Sequence, residues 1–185
     1  PYTTLFRSPA ENYVGIFVHD HDTTFYSYGM GHQECGQHIG RYLTGSEENE
    51  PNLKWNLQMH ELYREMTHYK NSLGGGDADP DIVAGFEKRY DEILNLAEEE
   101  YKNEPPSDYY REGYNLYRRL QKYRDSHLLF LHNKDVPADN SLAEQRFFPD
   151  QNPKHNKYYA IKAGDRAEIP RYAGPICNAR KCADW

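Results

Sequence analysis

The residues of this 185-residue chain best suited to chemistry gather at three places. The first is His19-Asp20-His21-Asp22, directly after the apolar run 13–18. Ligands of open α/β sheets bind at the carboxyl ends of strands, so an acid emerging there is placed for a metal or a substrate. Carboxylates are hard oxygen donors suited to Mg²⁺ or Mn²⁺, whereas imidazole would favour Zn²⁺. A solvated polar loop is the plain alternative. The second place is Cys35-Gly36-Gln37-His38, with His32 just before it. Its spacing is that of half a zinc site. No second Cys-rich pair lies nearby, and Cys177 and Cys182 fall in an unpatterned tail. Cys35 therefore reads as a small buried hydrophobe on a helix, with His38 turned toward a site or a hydrogen bond. The third is Glu144, in the first turn of a helix that Asp139, Asn140 or Ser141 can cap. An acid there is equally the partner of a capping box. Its functional weight comes from pairing with Asp20, because two carboxylates on separate elements can share a divalent ion, as two-metal phosphoryl transfer requires.

These residues need elements to hold them. The run 13–18, Tyr-Val-Gly-Ile-Phe-Val, is apolar on both faces and reads as a buried strand of a sheet covered by helices. Residues 23–31 read as a Tyr- and Gly-bearing connection. A helix is predicted over 35–43, stopping at Gly45 and the acidic loop 46–50. From Pro51, Trp55, Met59, Leu62, Met66, Tyr69 and Leu73 form one stripe of a long helix closed by Gly74-Gly75-Gly76. Asp79 and Pro80 supply an N-cap and a preset first turn for a second, with Val83, Phe86, Tyr90, Ile93, Ala97 and Tyr101 along its face. After Pro105-Pro106, Ser107 can cap a third helix whose stripe runs from Tyr110 through Tyr117 and Tyr123 to Leu131. The whole region 51–132 reads as packing rather than as a cofactor site. A last helix opens over 139–145, and beyond Pro149 no element is assigned.

Leu, Ile, Val and Phe are scarce, at about 17% of the chain, which together with a net charge of −7 approaches the composition of disordered proteins. The 17 Tyr and 2 Trp argue the other way, since such rings bury area while keeping a polar handle, and a polar, Tyr-cored fold is expected. The acidic balance argues against a surface built only to hold nucleic acid. No run approaches the roughly 18 apolar residues of a membrane helix. Three cysteines suit a reducing cytosol better than a disulfide scaffold, and a cytoplasmic location without membrane contact is expected. The chain opens on Pro1, and residues 1–8 are read as a non-native or disordered leader.

Three stretches resemble the insertion-sequence-66 family of bacterial transposases, which belong to the Asp-Asp-Glu class. VGIFVHDHDTTFYSYG resembles the segment around the family's second catalytic Asp, HQECGQHIGRYL its Cys-x-x-His helix, and SHLLFLHNKDVPADNSLAEQR the Val-Pro turn leading to the catalytic Glu. The resemblance implies a ribonuclease-H-like α/β core with a large helical insertion, predominantly helical overall. It assigns catalytic and metal-binding roles to Asp20 and Glu144, and DNA contact to His38, Arg41 and Asn140. Mg²⁺ or Mn²⁺ is the implied cofactor. Transposon-end DNA and further copies of the chain are the implied partners, and DNA cleavage with strand transfer is the implied reaction. The intact enzyme would hold two ions about 3.5–4 Å apart between three carboxylates.

The departures are specific. Glu11 is the one acid before Asp20, so the family's first catalytic Asp has no counterpart here. Gln145 replaces the Arg that usually follows the Glu, and residues 146–164 match poorly. The expected organisation is a partial catalytic domain over 9–148, with the helical insertion at 51–132 and a poorly patterned tail at 149–185. A fragment with little activity of its own follows. Two other readings are a zinc-dependent hydrolase built on His19, His21, Asp22 and His38, and a non-enzymatic helical interaction domain.

Overall fold

Ile16, Phe17 and Val18 favour extended backbone, and Gly15–His19 form the central strand β1, buried along most of its length. The strand thus reaches one residue past the apolar run and takes in His19. The computed structural model describes residues 14–139 and the backbone of 159–162. A second strand, β2, follows at Gly31–Glu34 and pairs with β1 in parallel, with Ile16 opposite Gly31 and His19 opposite Glu34. Residues 23–31 are therefore more than a connection. They hold a short 3-10 helix, Thr23–Ser27, capped by the Asp22 side chain, and the first residue of β2.

The return into β2 turns at Gly29, whose φ of +75° lies in the left-handed region. A Cβ there would lie 2.7 Å from Phe17 Cδ2 and 2.9 Å from the Gly15 carbonyl oxygen, so both backbone angle and space require glycine. Met30 N–H donates to Gly15 C=O at 2.8 Å and starts the register.

Helix α1 spans Gly36–Asn49. It passes through Gly45 instead of stopping there, because Ile39, Leu43 and Ser46 continue one buried face. The Ser46 hydroxyl donates to Glu50 at 3.0 Å and accepts from Asn56 at 3.2 Å, which satisfies the polar end of that face. Helix α2, Trp55–Ser72, and helix α3, Pro80–Asn103, carry the two stripes read from the sequence. Trp55, Met59, Leu62 and Met66 are fully buried against Val83, Tyr90, Ile93 and Ala97. Asp79 caps α3 through the Asp81 amide, with Pro80 in the first turn.

The stripe from Tyr110 to Leu131 is divided between α4, Glu112–Lys122, and α5, Arg124–His132. The interruption lies at Tyr123, whose ring stacks on Tyr26 at 4.3 Å between centroids. Ser107 does not cap α4; its hydroxyl accepts from the Tyr110 amide in the preceding turn. α5 packs against β2, and Phe130 N–H donates to the buried Gln33 side chain at 2.8 Å. A third strand, β3, Tyr159–Lys162, pairs antiparallel with β1, giving the order β2-β1-β3. It arises in the tail to which the sequence assigned no element. The described protein is an α/β fold, mostly helical, with five α-helices and a small mixed sheet. The helix 139–145 lies outside the described residues.

Gly29→Ala should cost about 2 kcal/mol, through the strained φ and the Phe17 contact. Thermal denaturation should show a drop of about 4–8 °C. An unchanged midpoint would show that the β1–β2 turn tolerates a side chain.

Candidate active site at the carboxyl end of the parallel strands

Asp20 leaves the sheet directly after β1, with its side chain 19% exposed. Its backbone is held from both sides. Asp22 N–H donates to Asp20 C=O at 2.6 Å, and the preceding His19 Nδ1 is 2.7 Å from the same oxygen. A carbonyl only accepts, so His19 carries its proton on Nδ1. His19 Nε2 is then the acceptor facing His32 Nδ1 at 3.3 Å. Burial holds the His19 and His32 imidazoles below the ordinary histidine range, which suits these neutral tautomers.

Two backbone bonds bring further elements to this end of the sheet. Cys35 N–H donates to His19 C=O at 2.8 Å, so the start of α1 lies beside the end of β1. Gly36 N–H donates to Ala138 C=O at 2.9 Å, which docks the turn after α5 on the first residue of α1. A Cβ on Gly36 would come within 2.9 Å of that carbonyl oxygen, so the docking requires a glycine. On α1, His38 Nε2 stands 4.0 Å from Asp20 Oδ2, and Arg41 is exposed a turn further on.

Opposite His19, at the same end of the sheet, lies a carboxylate that no sequence pattern marked. Glu34, the last residue of β2, is fully buried. Oε1 accepts from His21 Nδ1 at 2.8 Å and from the Tyr26 hydroxyl at 2.6 Å. Oε2 accepts from Nε of Arg119 at 2.7 Å and from a terminal nitrogen of the same guanidinium. His127 Nε2 stands 3.9 Å from Oε1. Burial alone would push the Glu34 carboxyl up, but the His21 bond and the charge and bonds of Arg119 outweigh it and hold the group well below the usual carboxylate range. Burial and the Glu34 charge push the Tyr26 phenol up, so it stays protonated and donates. His127 is lowered by burial to about 4 and is neutral near pH 7, which leaves Arg119 as the standing positive partner.

The sequence-derived candidates therefore divide. Asp20, His38 and the segment leading toward Glu144 converge on one end of the sheet. Glu144 and Asn140 lie outside the described residues. The imidazole set proposed for zinc is not gathered: His19 bonds backbone and His32, His21 bonds Glu34, and Asp22 Oδ1 caps the Thr24 amide at 2.9 Å. Among the described residues no three His, Cys, Asp or Glu side chains are grouped to hold a metal ion. Cys35 is buried at the start of α1, as expected of a small hydrophobe. Among the described residues, no helix is long and apolar enough to cross a membrane. Glu34 and Arg119 were hidden because a four-residue polar strand, Gly-His-Gln-Glu, carries no hydrophobic pattern. The one available sign was a Glu directly before the Cys-x-x-His helix.

His127 gives this site a pH signature. In the unfolded chain it takes a proton near pH 6.5, whereas in the folded protein it does so near 4. The unfolded state binds the extra proton between those values, so the contribution is whole above about pH 6.5 and drains away as pH falls toward 4. That depression corresponds to about 3 kcal/mol. His19 and His32 are shifted in the same direction and add to the slope. His127→Leu should therefore lose about 2 kcal/mol less than the parent between pH 7.5 and 4.5 in urea denaturation. Equal losses would mean that His127 is not held neutral by burial.

Comparison with known proteins supplies the remaining constraint. No curated protein and no solved structure matches the chain. The family model of the transposase IS66 family matches residues 4–149, from before β1 to beyond the Val136-Pro137 turn. With that match spanning well over half of its length, the chain belongs to the IS66 family of transposases.

Proposed function

We propose that this chain carries part of the catalytic domain of a DNA transposase, with Asp20 and Glu144 as its metal-binding acids. One observation carries the reading. Asp20 emerges at the carboxyl end of two parallel strands, and the chain that continues to Glu144 is docked at that same end by the Gly36–Ala138 bond. Such an end is where sheets of this kind place ligands. On this reading the chain holds part of a ribonuclease-H-like core interrupted by the helices of 51–132, with 9–148 as the catalytic unit.

The donor chemistry fits Mg²⁺ or Mn²⁺. Asp20 presents carboxylate oxygens that are partly open to solvent, and hard ions of this kind take one or two carboxylates while keeping several waters. When bound, such an ion would polarise a phosphate oxygen and lower the pKa of an attacking water. The protein's own part is to fix the acids. β1 sets the position of Asp20, and the 139–145 helix would set that of Glu144. His38, beside Asp20, and Arg41, a turn beyond, would contact phosphate oxygens of the DNA, with Asn140 a further contact. In the family as a whole, DNA ends and a second copy of the enzyme would complete the assembly. This chain supplies two of the three acids, so its own strand-transfer activity should be low.

Mn²⁺ binding followed by electron paramagnetic resonance tests the assignment. The 185-residue chain should bind Mn²⁺ in competition with Mg²⁺. Asp20→Asn and Glu144→Gln should each weaken binding by at least about tenfold. Asp22→Asn should change it little, because Asp22 serves as a cap. Equal affinities in all four proteins would overturn the assignment. Incubation of the chain with transposon-end DNA and Mg²⁺ should give little cleavage, and efficient cleavage would show that two acids suffice.

A further inference from the structure

We propose that Glu34 and Arg119 are positioning residues for Asp20, a buried pair that ties the loop after β1 to the helical layer. The inference rests on the reading of Asp20 as a metal-binding acid. It adds residues from β2 and α4 that neither the sequence motifs nor the family match singles out.

The geometry is that of a clamp. The two neighbours of Asp20 in the chain are both immobilised. His19 is buried, bonds the Asp20 carbonyl through Nδ1, and holds the start of α1 through its own carbonyl. His21 is bound to Glu34 at 2.8 Å, and Glu34 is bound to Arg119 by two nitrogens. Tyr26, from the same loop, closes the ring by donating to Glu34 Oε1. The far side of Arg119 rests over the Tyr42 ring of α1, 5.2 Å from its centroid. A carboxylate that accepts four hydrogen bonds has little capacity left for a metal ion. Glu34 therefore acts on Asp20 through His21, as the partners behind metal ligands commonly do. Arg119 belongs to α4, so the order of the Asp20 loop depends on the helices between the two sequence blocks that carry the acids.

Removing one partner alone leaves a buried charge and threatens the whole fold, whereas replacing both with apolar groups of similar size is often tolerated. The experiment therefore compares the parent chain with Glu34→Met/Arg119→Met and with the milder Tyr26→Phe, using hydrogen–deuterium exchange and Mn²⁺ binding on the full chain. In the double variant, the Asp22 and Thr24 amides should exchange at least about tenfold faster, while core amides of α2 and α3 keep their protection. Mn²⁺ affinity should fall by about tenfold, and Tyr26→Phe should move both quantities the same way by less. A purely structural role would raise exchange across the core as well, and that result would overturn the proposal. So would unchanged exchange in the loop. Loss of Mn²⁺ binding with an unchanged loop would make Glu34 a ligand itself and equally refute it. The parent reading is tested separately: faster loop exchange combined with Mn²⁺ binding that is indifferent to Asp20→Asn would leave the clamp standing and remove the metal role of Asp20.

Discussion

A carboxylate with no exposure to water has to be met by the protein, and Glu34 is met on every side. The desolvation of one such ion costs several kcal/mol before any compensation. Its offset comes from four hydrogen bonds and one guanidinium charge, drawn from the Asp20 loop and from α4. Much of the surrounding architecture follows from that demand. β2 is a strand of polar residues because Glu34 and Gln33 are bonded within the protein rather than solvated. The break between α4 and α5 leaves Arg119 on one segment and His127 on the next, both facing the same carboxylate. Breaking one member of this group would leave a charge uncompensated, which is costlier than never having buried the pair.

The elements differ in how legible they were. The helices α2 and α3 could be read directly, since Trp55, Met59, Leu62 and Met66 recur at helical spacing and Asp79-Pro80 is a start signal that depends on local chemistry alone. β1 was equally plain from Ile16, Phe17 and Val18. By contrast, β2 depends on partners distant in sequence: its neighbour β1, the α5 amide that bonds Gln33, and Arg119 on α4. No local pattern encodes them. Gly45 looked like a helix stop, but the buried face of α1 continues through Ser46 and outweighs the weak helical preference of one glycine. Tyr123 fell on the stripe expected of one unbroken helix, yet its stacking on Tyr26 marks the bend. For the candidate site, Asp20 is proposed from its place after a strand, His38 from its motif, and Glu144 from its pairing with Asp20 and from the family resemblance. His19, His21 and Glu34 fall within the family-like stretches and Arg119 outside them, and only the fold shows the bonds they make around the Asp20 loop.

The composition also takes on a different meaning. Scarce branched aliphatic residues are offset by tyrosines that reach the core: Tyr63, Tyr90, Tyr101 and Tyr117 are all buried. Tyr90 and Tyr101 donate to the Leu120 carbonyl and to Glu50, so their polar ends are satisfied inside. Part of the acidic excess is taken up in ion pairs within the fold, such as Glu65 with Arg89 and Asp91 with Arg124.

The central claim is that Asp20 and Glu144 come together at the carboxyl end of β1 to hold a divalent ion. A crystal structure of the 185-residue chain grown with Mn²⁺, with the ion located by its anomalous scattering, tests this directly. The account predicts an ion within about 2–2.5 Å of carboxylate oxygens from both residues, above an undisturbed Glu34–Arg119 pair. An ion bound elsewhere, or a Glu144 carboxylate turned away from Asp20, would contradict it.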